Sequence, residues 1–103
     1  MEFDLGKMQQ WVEQAQQQYQ AIRLKMQQTV IEAEAGAGMV RVRMNGAKQL
    51  LEVQLDPEVV RNDPEMLPDL ICAAVNEAGR RVEEALRSEL GMLATALPPG
   101  FYP

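Results

Sequence analysis

The chain has 103 residues, 47% of them hydrophobic and 24% charged, a composition typical of a single soluble domain. It contains no histidine and a single cysteine, Cys72, which argues against an intrachain disulfide, a His/Cys zinc cluster and an imidazole base. We therefore expect no metal, no cofactor, no catalytic residue and no small-molecule substrate. The formal charge of −5 also argues against a uniformly basic surface.

The N-terminus and the hydropathy favour a cytoplasmic protein. Met1-Glu2-Phe3-Asp4 lacks the basic, then apolar, pattern of a secretory signal, and no run approaches the ~18 apolar residues of a membrane helix. We therefore expect a cytoplasmic location and no contact with a membrane.

Residues 1–28 are predicted to form a long helix with a narrow apolar seam. The apolar residues follow one another at spacings of three and four, which is the a/d pattern of a heptad repeat. Such a helix is roughly 37 Å long, whereas a compact chain of this size has a radius of gyration of about 13 Å. We expect the helix to protrude and its seam to need a partner. The seam consists of Leu5, Met8, Val12, Ala15, Tyr19, Ile22 and Met26.

The polar faces of this helix are rich in amides and locally cationic. Nine glutamines occupy residues 9–28, where Glu13 is the one acidic residue. The basic residues of the helix are Lys7, Arg23 and Lys25. The surface is either a solvated helix face or a phosphate-binding one, and the pattern alone favours the solvated face.

Residues 30–55 are predicted to form a three-stranded antiparallel meander. Residues 30–35 and 39–44 alternate apolar and polar side chains on either side of a glycine-rich turn. Residues 48–55 continue the alternation and supply the third strand, with Leu51, Val53 and Leu55 turned inward.

The dipeptide Asn45-Gly46 sets the predicted register of the second hairpin. It is a strong signal for a two-residue type I′ loop, which needs positive φ at both positions. That loop places Val42 opposite Gln49 and Val40 opposite Leu51.

Arg41 and Arg43 lie on the outer face of this predicted sheet. They share that face with Glu52, and with Glu32 or Glu34 of the first strand. We therefore predict cross-strand ion pairs rather than a ligand site.

A short helical turn at residues 57–61 and a long helix at residues 65–93 complete the predicted elements. Asp56-Pro57 and Asp63-Pro64 each combine a capping residue with proline at the first helical position. The apolar stripe of the long helix is wide enough to cover the sheet. Pro68 lies in its first turn, or else the helix starts one turn later.

The exposed face of the long helix has the spacing of intrahelical ion pairs. Arg80 with Glu84, and Glu83 with Arg87, are i,i+4 pairs of opposite charge.

Gly79 lies in the middle of the helix, where glycine costs about 1 kcal/mol relative to alanine, and we attribute it to a close helix crossing.

The predicted architecture is α+β: a long helix, a three-stranded antiparallel meander, a short turn and a long helix in one domain, followed by a Pro-rich tail at residues 96–103. A monomer of this kind leaves much of one apolar stripe in water, so we predict a homodimer. Periodicity leaves open whether the heptad seam packs within the chain or between chains.

Several short motifs occur in an order more specific than any of them alone. They are Gly36-Ala37-Gly38-Met39-Val40-Arg41-Val42, Met44-Asn45-Gly46-Ala47, Asp56-Pro57, Glu65-Met66-Leu67, Ala73-Ala74-Val75-Asn76-Glu77-Ala78 followed by Arg80-Arg81-Val82-Glu83-Glu84, and Leu97-Pro98-Pro99-Gly100-Phe101. Over most of the chain they resemble the YbaB/EbfC family of bacterial nucleoid-associated proteins. Pro68 departs from the family pattern, in which a charged helix former is usual.

The resemblance implies an α-β-β-β-α protomer, a tweezer-like homodimer, and phosphate-mediated binding of duplex DNA with low or modest sequence specificity in the cytoplasm and nucleoid. Arg80 and Arg81 match the family position by position, whereas the first helix corresponds only in its general basic, Gln-rich character. At about 0.15 M salt the Debye length is roughly 8 Å, so distant carboxylates are screened from the phosphates. The predicted DNA-binding residues are Lys7, Arg23, Lys25, Arg80, Arg81 and Arg87.

A protein-interaction module is the competing hypothesis. In it, the heptad seam and the Pro-rich tail dock another protein, as in a coiled-coil adaptor, without nucleic acid. The acidic pI of about 4.7 favours this alternative, and the family resemblance opposes it. An enzyme has little support, because Asp56, Glu58, Asp63 and Glu65 are explained as caps or first-turn acids.

Overall fold

The computed structural model describes residues 4–95, with side chains from residue 4 to residue 92. In chain order the elements are α1 (Leu5–Gln28), β1 (Val30–Ala35), β2 (Val40–Asn45), β3 (Leu50–Leu55), α2 (Pro57–Asn62), a 3-10 turn (Pro64–Met66) and α3 (Leu67–Thr95). This order confirms the predicted α+β fold. The predicted tail at residues 96–103 lies outside the described residues.

Helix α1 projects from the rest of the molecule. It begins at Leu5 because the Asp4 carboxylate accepts a hydrogen bond from the Lys7 backbone N–H at 3.2 Å. Only the C-terminal end of its seam is covered: Met26 is 4% exposed, whereas Leu5 is 65% exposed. The molecule measures 72 × 22 × 15 Å, with a radius of gyration of 20.2 Å. The predicted protrusion is confirmed.

The core lies between α3 and one face of the sheet, whose strand order is β1-β2-β3, antiparallel throughout. Helix α3 packs mainly across β1 and β2, and its small Ala74 and Ala78 let the helix approach the strands closely. β3 lies at the far edge, so Val53 and Leu55 remain 38% exposed although they share the face of the core. The buried core residues are Met26, Ala33, Val40, Val42, Met44, Ala74, Ala78 and Val82.

The predicted register of the second hairpin is wrong. Val42 pairs with Val53, not with Gln49, and Val40 pairs with Leu55, not with Leu51. A β-bulge between Arg43 and Met44 shifts the strands further. Leu51, predicted to face inward, is 53% exposed.

The hairpin differs because its loop has three residues, Gly46 to Lys48, rather than two. Positive φ falls on Lys48, at 61°, as in a type I turn followed by a left-handed residue. The buried Asn45 holds this loop: its Oδ1 accepts from the backbone N–H groups of Ala47 and Gln49, both at 3.0 Å. Asn45 therefore acts through its side chain, not through a left-handed backbone.

Gly46 is required for contact with α1 rather than for a turn. Its N–H donates to the carbonyls of Met26, at 2.7 Å, and Thr29, at 3.1 Å. A Cβ at this position would lie 2.2 Å from the Met26 carbonyl oxygen. The Lys48 ammonium also contacts Glu83 of α3 at 2.6 Å. The hairpin is thus fixed to both long helices, and it sets where α1 leaves the body.

Helix α3 differs from its prediction in two places. It begins at Leu67 rather than at residue 65, since residues 64–66 form a 3-10 turn, and Pro68 lies in its first turn, where a missing N–H costs little. The close crossing predicted at Gly79 is absent from the described chain, because a Cβ there would meet no atom within 4 Å.

Candidate nucleic-acid interface

Arg80 and Arg81 share one carboxylate, that of Glu77. Arg80 Nη2 lies 2.6 Å from Glu77 Oε1, and Arg81 Nε lies 3.1 Å from the same atom. Arg80 also contacts Glu84, which confirms the predicted i,i+4 pair. Phosphate contacts from these arginines must therefore compete with carboxylates already in place.

The pKa of Glu77 is lowered to about 2, first by the hydrogen bond from Arg80 and then by the one from Arg81. A carboxyl with a depressed folded-state pKa stabilises the fold above its ordinary value of 4.5, and this contribution is lost as the pH falls towards 2. We expect Glu77→Gln to unfold at a lower temperature than the parent at pH 7, with the difference shrinking between pH 4.5 and pH 2. Thermal denaturation followed by circular dichroism measures it.

The control for this prediction is Glu13→Gln on α1. Glu13 has no ion-pair partner among the described residues, so its replacement removes a charge without removing a salt bridge. An effect of Glu77→Gln that stays constant from pH 7 to pH 2 would contradict a role for the ionised carboxylate.

Lys25 and Arg81 each have a partner far away in the sequence, which sequence patterns do not reveal. Lys25 Nζ lies 2.6 Å from Glu89 Oε1, an ion pair that ties the end of α1 to α3. Arg81 Nη1 donates at 2.7 Å to the backbone carbonyl of Glu32, at the edge of β1. Lys25 and Arg81 thus hold elements together in the protomer.

Lys7, Arg23 and Arg87 form no ion pair with any described residue. The predicted Glu83–Arg87 pair is replaced, because Glu83 contacts Lys48 of the hairpin, and this hydrogen bond is the main cause of its lowered pKa. Arg87 is left with an exposed guanidinium. Arg87 nevertheless interacts with Glu83 electrostatically, because its charge helps to lower the pKa of that carboxyl.

Arg23 lies in an amide-rich surface of α1. At about 100° per residue, Gln16, Gln20 and Gln27 fall on the same helix face as Arg23, and all four are exposed. Gln20, Arg23, Leu24 and Gln27 line a shallow concavity of about 260 Å³. We call Gln16, Gln20, Arg23 and Gln27 the α1 amide patch. It presents one full positive charge and several neutral N–H donors, which suits phosphate oxygens without reading bases.

The six predicted residues do not form one cluster. Lys7 and Lys25 are about five helical turns apart along a single line of α1, on the side away from Arg23. Arg80 and Arg87 share a face of α3. The structure brings together only Arg80 and Arg81, through Glu77. Any polyanion that contacts the whole set must extend along both helices.

The outer face of the sheet carries the predicted ion pairs and is not a basic surface. Arg41 lies 3.5 Å from Glu34, and Arg43 lies 3.5 Å from Glu32 and 3.4 Å from Glu52. The predicted cross-strand pairing is confirmed. These groups line a depression of about 490 Å³ in which positive and negative charges alternate, so it has no strong preference for an anion.

Two further kinds of site are missing from the part of the chain that the structure describes. No group of three or more Cys, Asp and Glu side chains is arranged to hold a metal ion. No helix within residues 4–95 has the length and apolarity needed to cross a membrane.

Known proteins share both this sequence pattern and this fold. The chain is similar to a nucleoid-associated protein of Koribacter versatilis, with 55% identity over 89 residues, covering 84% of this chain and 88% of the relative. It is also similar to a nucleoid-associated protein of Acidobacterium capsulatum, with 47% identity over 104 residues, covering 93% and 96% of the two chains.

A crystal structure of an uncharacterized protein from Helicobacter pylori has the same fold, with a TM-score of 0.77 at 23% identity, over 92% of this chain and all of that one. Residues 1–97 match the YbaB/EbfC DNA-binding family, which confirms the resemblance inferred from the motifs and agrees with a non-enzymatic protein. On this match and on two relatives near 50% identity, the chain belongs to the YbaB/EbfC DNA-binding family.

Proposed function

We propose that this protein is a nucleoid-associated protein that binds duplex DNA as a homodimer, through phosphate contacts from α1 and α3 and with low or modest sequence specificity. The observation that carries the proposal is the α1 amide patch. It lies on a projecting helix, exposed to solvent, and Arg23 has no carboxylate partner among the described residues. Family membership and the names of the two bacterial relatives support the same function.

The six basic residues enter this proposal in two groups. Lys7, Arg23 and Arg87 form no ion pair with any described residue, so phosphate binding breaks none there. Lys25, Arg80 and Arg81 bind phosphate only by giving up, or sharing, the carboxylates they now contact. Exposed ion pairs contribute only about 0 to 1 kcal/mol, so a phosphate can replace the carboxylate in the second group. Phosphate binding by the first group is nevertheless more favourable, because it breaks no ion pair with a described residue.

The homodimer is supported by apolar surface that the protomer leaves in water. Leu5, Val12 and Tyr19 on the α1 seam are 65%, 47% and 49% exposed. Exposed apolar patches of this kind mark interaction sites in soluble proteins. A second copy supplies equivalent basic helices, so that phosphate contacts come from four helices instead of two.

The test is a salt titration of duplex binding. Each phosphate neutralised contributes about −0.9 to the slope of log K against log salt, so a dimer of this charge should give roughly −4 to −7 between ~50 and ~200 mM salt. Random and AT-rich duplexes should bind with similar affinity. A salt-independent affinity, or no binding at about 50 mM salt, would overturn the proposal.

The protein-interaction adaptor remains the second candidate, because the exposed α1 seam is the surface that such a function needs. The two functions differ in what accompanies the protein when it is purified. A DNA-binding protein retains nucleic acid at low salt, which raises its ratio of absorbance at 260 nm to that at 280 nm. An adaptor gives the ratio of protein alone.

A further inference from the structure

The Glu77 carboxylate lies where two arginine side chains converge. Arg80 donates from Nη2 to Oε1 at 2.6 Å and from Nε to Oε2 at 3.0 Å, so this pair is bidentate. Arg81 donates from Nε to Oε1 at 3.1 Å. Three charge-assisted hydrogen bonds therefore hold one carboxylate. The arginine fork binds phosphate oxygens with the same bidentate geometry, so the carboxylate occupies a position that suits a phosphate.

Each arginine is also held on its other side. Arg81 Nη1 donates to the Glu32 backbone carbonyl at 2.7 Å, and Arg80 Nη1 contacts the Glu84 carboxylate. These contacts help to keep both Nε–H groups directed at Glu77. The side chains of Arg80 and Arg81 are nevertheless 57% and 47% exposed, so a phosphate can reach them from solvent.

Glu77 is well placed to compete with such a phosphate. It precedes the two arginines by three and four positions on α3, a spacing at which helical side chains are neighbours whenever the helix is folded. Its pKa of about 2 keeps the carboxylate ionised at neutral pH. An anion tethered next to its partners has a high effective concentration, whereas a DNA phosphate must arrive from solution.

We propose that the Glu77 carboxylate occupies the phosphate position of Arg80 and Arg81 and thereby limits the affinity of this protein for DNA. The inference rests on the proposed function and deepens it, because it identifies a residue that weakens binding. Arg80 and Arg81 contact phosphate only where the carboxylate is displaced, and at about 0.1 M salt Glu77 retains them.

Replacing Glu77 with glutamine should raise the affinity for random-sequence duplex DNA at least fivefold at about 0.1 M salt. Glutamine keeps the shape and the helix propensity, but a neutral oxygen accepts hydrogen bonds roughly half as strong. The four released arginines of a dimer then neutralise further phosphates, so the slope of log K against log salt should become steeper by about 1 to 3. Electrophoretic shift titrations at several salt concentrations measure both quantities, at a temperature where circular dichroism shows the variant to be folded.

Glu65→Gln in the 3-10 turn is the matched control for charge. Glu65 is exposed and forms no ion pair with any described residue, and the change in net charge is identical. We expect it to alter the affinity by less than about twofold and to leave the slope unchanged. Equal gains in the two variants would assign the effect to net charge and overturn the inference, and so would an unchanged affinity in Glu77→Gln.

A double-mutant cycle tests whether the gain depends on Arg80. Arg80→Gln should lower the affinity by a factor at least threefold larger in the Glu77→Gln background than in the parent, because Glu77 no longer holds Arg80 there. Equal losses in the two backgrounds would contradict the competition between carboxylate and phosphate.

A measurement on the parent protein decides the question if Glu77→Gln does not fold. The ¹⁵N NMR signals of arginine Nε–H groups respond to a change of hydrogen-bond partner. On saturation with a short duplex at about 0.1 M salt, the signals of Arg80 and Arg81 should shift less than that of Arg23, since Glu77 retains them. Shifts as large as that of Arg23 would overturn the inference.

The failure of this inference is distinguishable from the failure of the proposed function. A parent protein that binds duplex DNA with the expected salt dependence, while Glu77→Gln behaves like Glu65→Gln, would overturn the role of Glu77 alone. A parent protein that binds no duplex at about 50 mM salt would overturn the proposed function and this inference with it.

Discussion

Replacing Arg23 with glutamate should lower the affinity for random-sequence duplex DNA by roughly 10- to 100-fold at about 0.1 M salt, and make the slope of log K against log salt shallower by about 2. In the proposed homodimer, this one substitution removes two of the proposed phosphate contacts. Because Arg23 is exposed and lacks an ion-pair partner among the described residues, the change breaks no described salt bridge. Electrophoretic shift titrations at several salt concentrations give both quantities.

Arg61→Glu on α2 is the matched control for charge. Arg61 is exposed and also lacks an ion pair in the described chain, and the change in net charge is identical. We expect it to alter the affinity by less than about threefold. Equal weakening by both variants would show that net charge, and not the α1 amide patch, governs binding. Unchanged helicity and dimer mass in Arg23→Glu are required for either conclusion.

Gly46→Ala should destabilise the fold by about 3 kcal/mol or more, enough to lower the melting temperature by more than about 10 °C. The added Cβ would lie 2.2 Å from the Met26 carbonyl oxygen, an atom of the backbone that no side-chain rotation can move. The hairpin and α1 must separate, which breaks the Gly46 hydrogen bonds to Met26 and Thr29. Chemical denaturation measures the free energy of unfolding directly.

Gly79→Ala is the internal comparison, because the same substitution should have the opposite sign. A Cβ at Gly79 would meet no atom of the described chain within 4 Å, and alanine is favoured over glycine in a helix by about 1 kcal/mol. We expect a gain of roughly 0.5 to 1 kcal/mol. A stable Gly46→Ala variant, or a loss at Gly79→Ala, would contradict the packing described here.

The elements were predictable because each has a strong local period. The a/d spacing from Leu5 to Met26 predicts α1, and its length alone predicts the protrusion. The alternation in residues 30–35 and 39–44 predicts strands, and opposite charges at matching positions predict the ion pairs of Arg41 and Arg43. These features depend on near neighbours in the sequence, or on the order of adjacent strands.

The candidate site was predictable only in part. Residue type and helix position identify Arg23 and its neighbouring amides, because the face of a helix follows from its period. The Lys25–Glu89 and Lys48–Glu83 ion pairs and the hydrogen bond from Arg81 to the Glu32 carbonyl did not follow, because the residues they join lie 35 to 64 positions apart in sequence. Only these contacts show which cations already hold elements of the protomer together and which are exposed without an ion pair among the described residues.

By itself, the sequence determined the order of helices and strands, the long α1 with its open seam, and the amide-rich, mildly positive surface around Arg23. Only the tertiary structure decided the register of the second hairpin, the need for glycine at position 46, and which cations already form contacts between elements. The reason is physical, since helix and strand periods are read from residues close together in the sequence. The β-bulge, the contact of Gly46 with the Met26 carbonyl and the hydrogen bond from Arg81 to β1 each join segments that meet only in the folded chain.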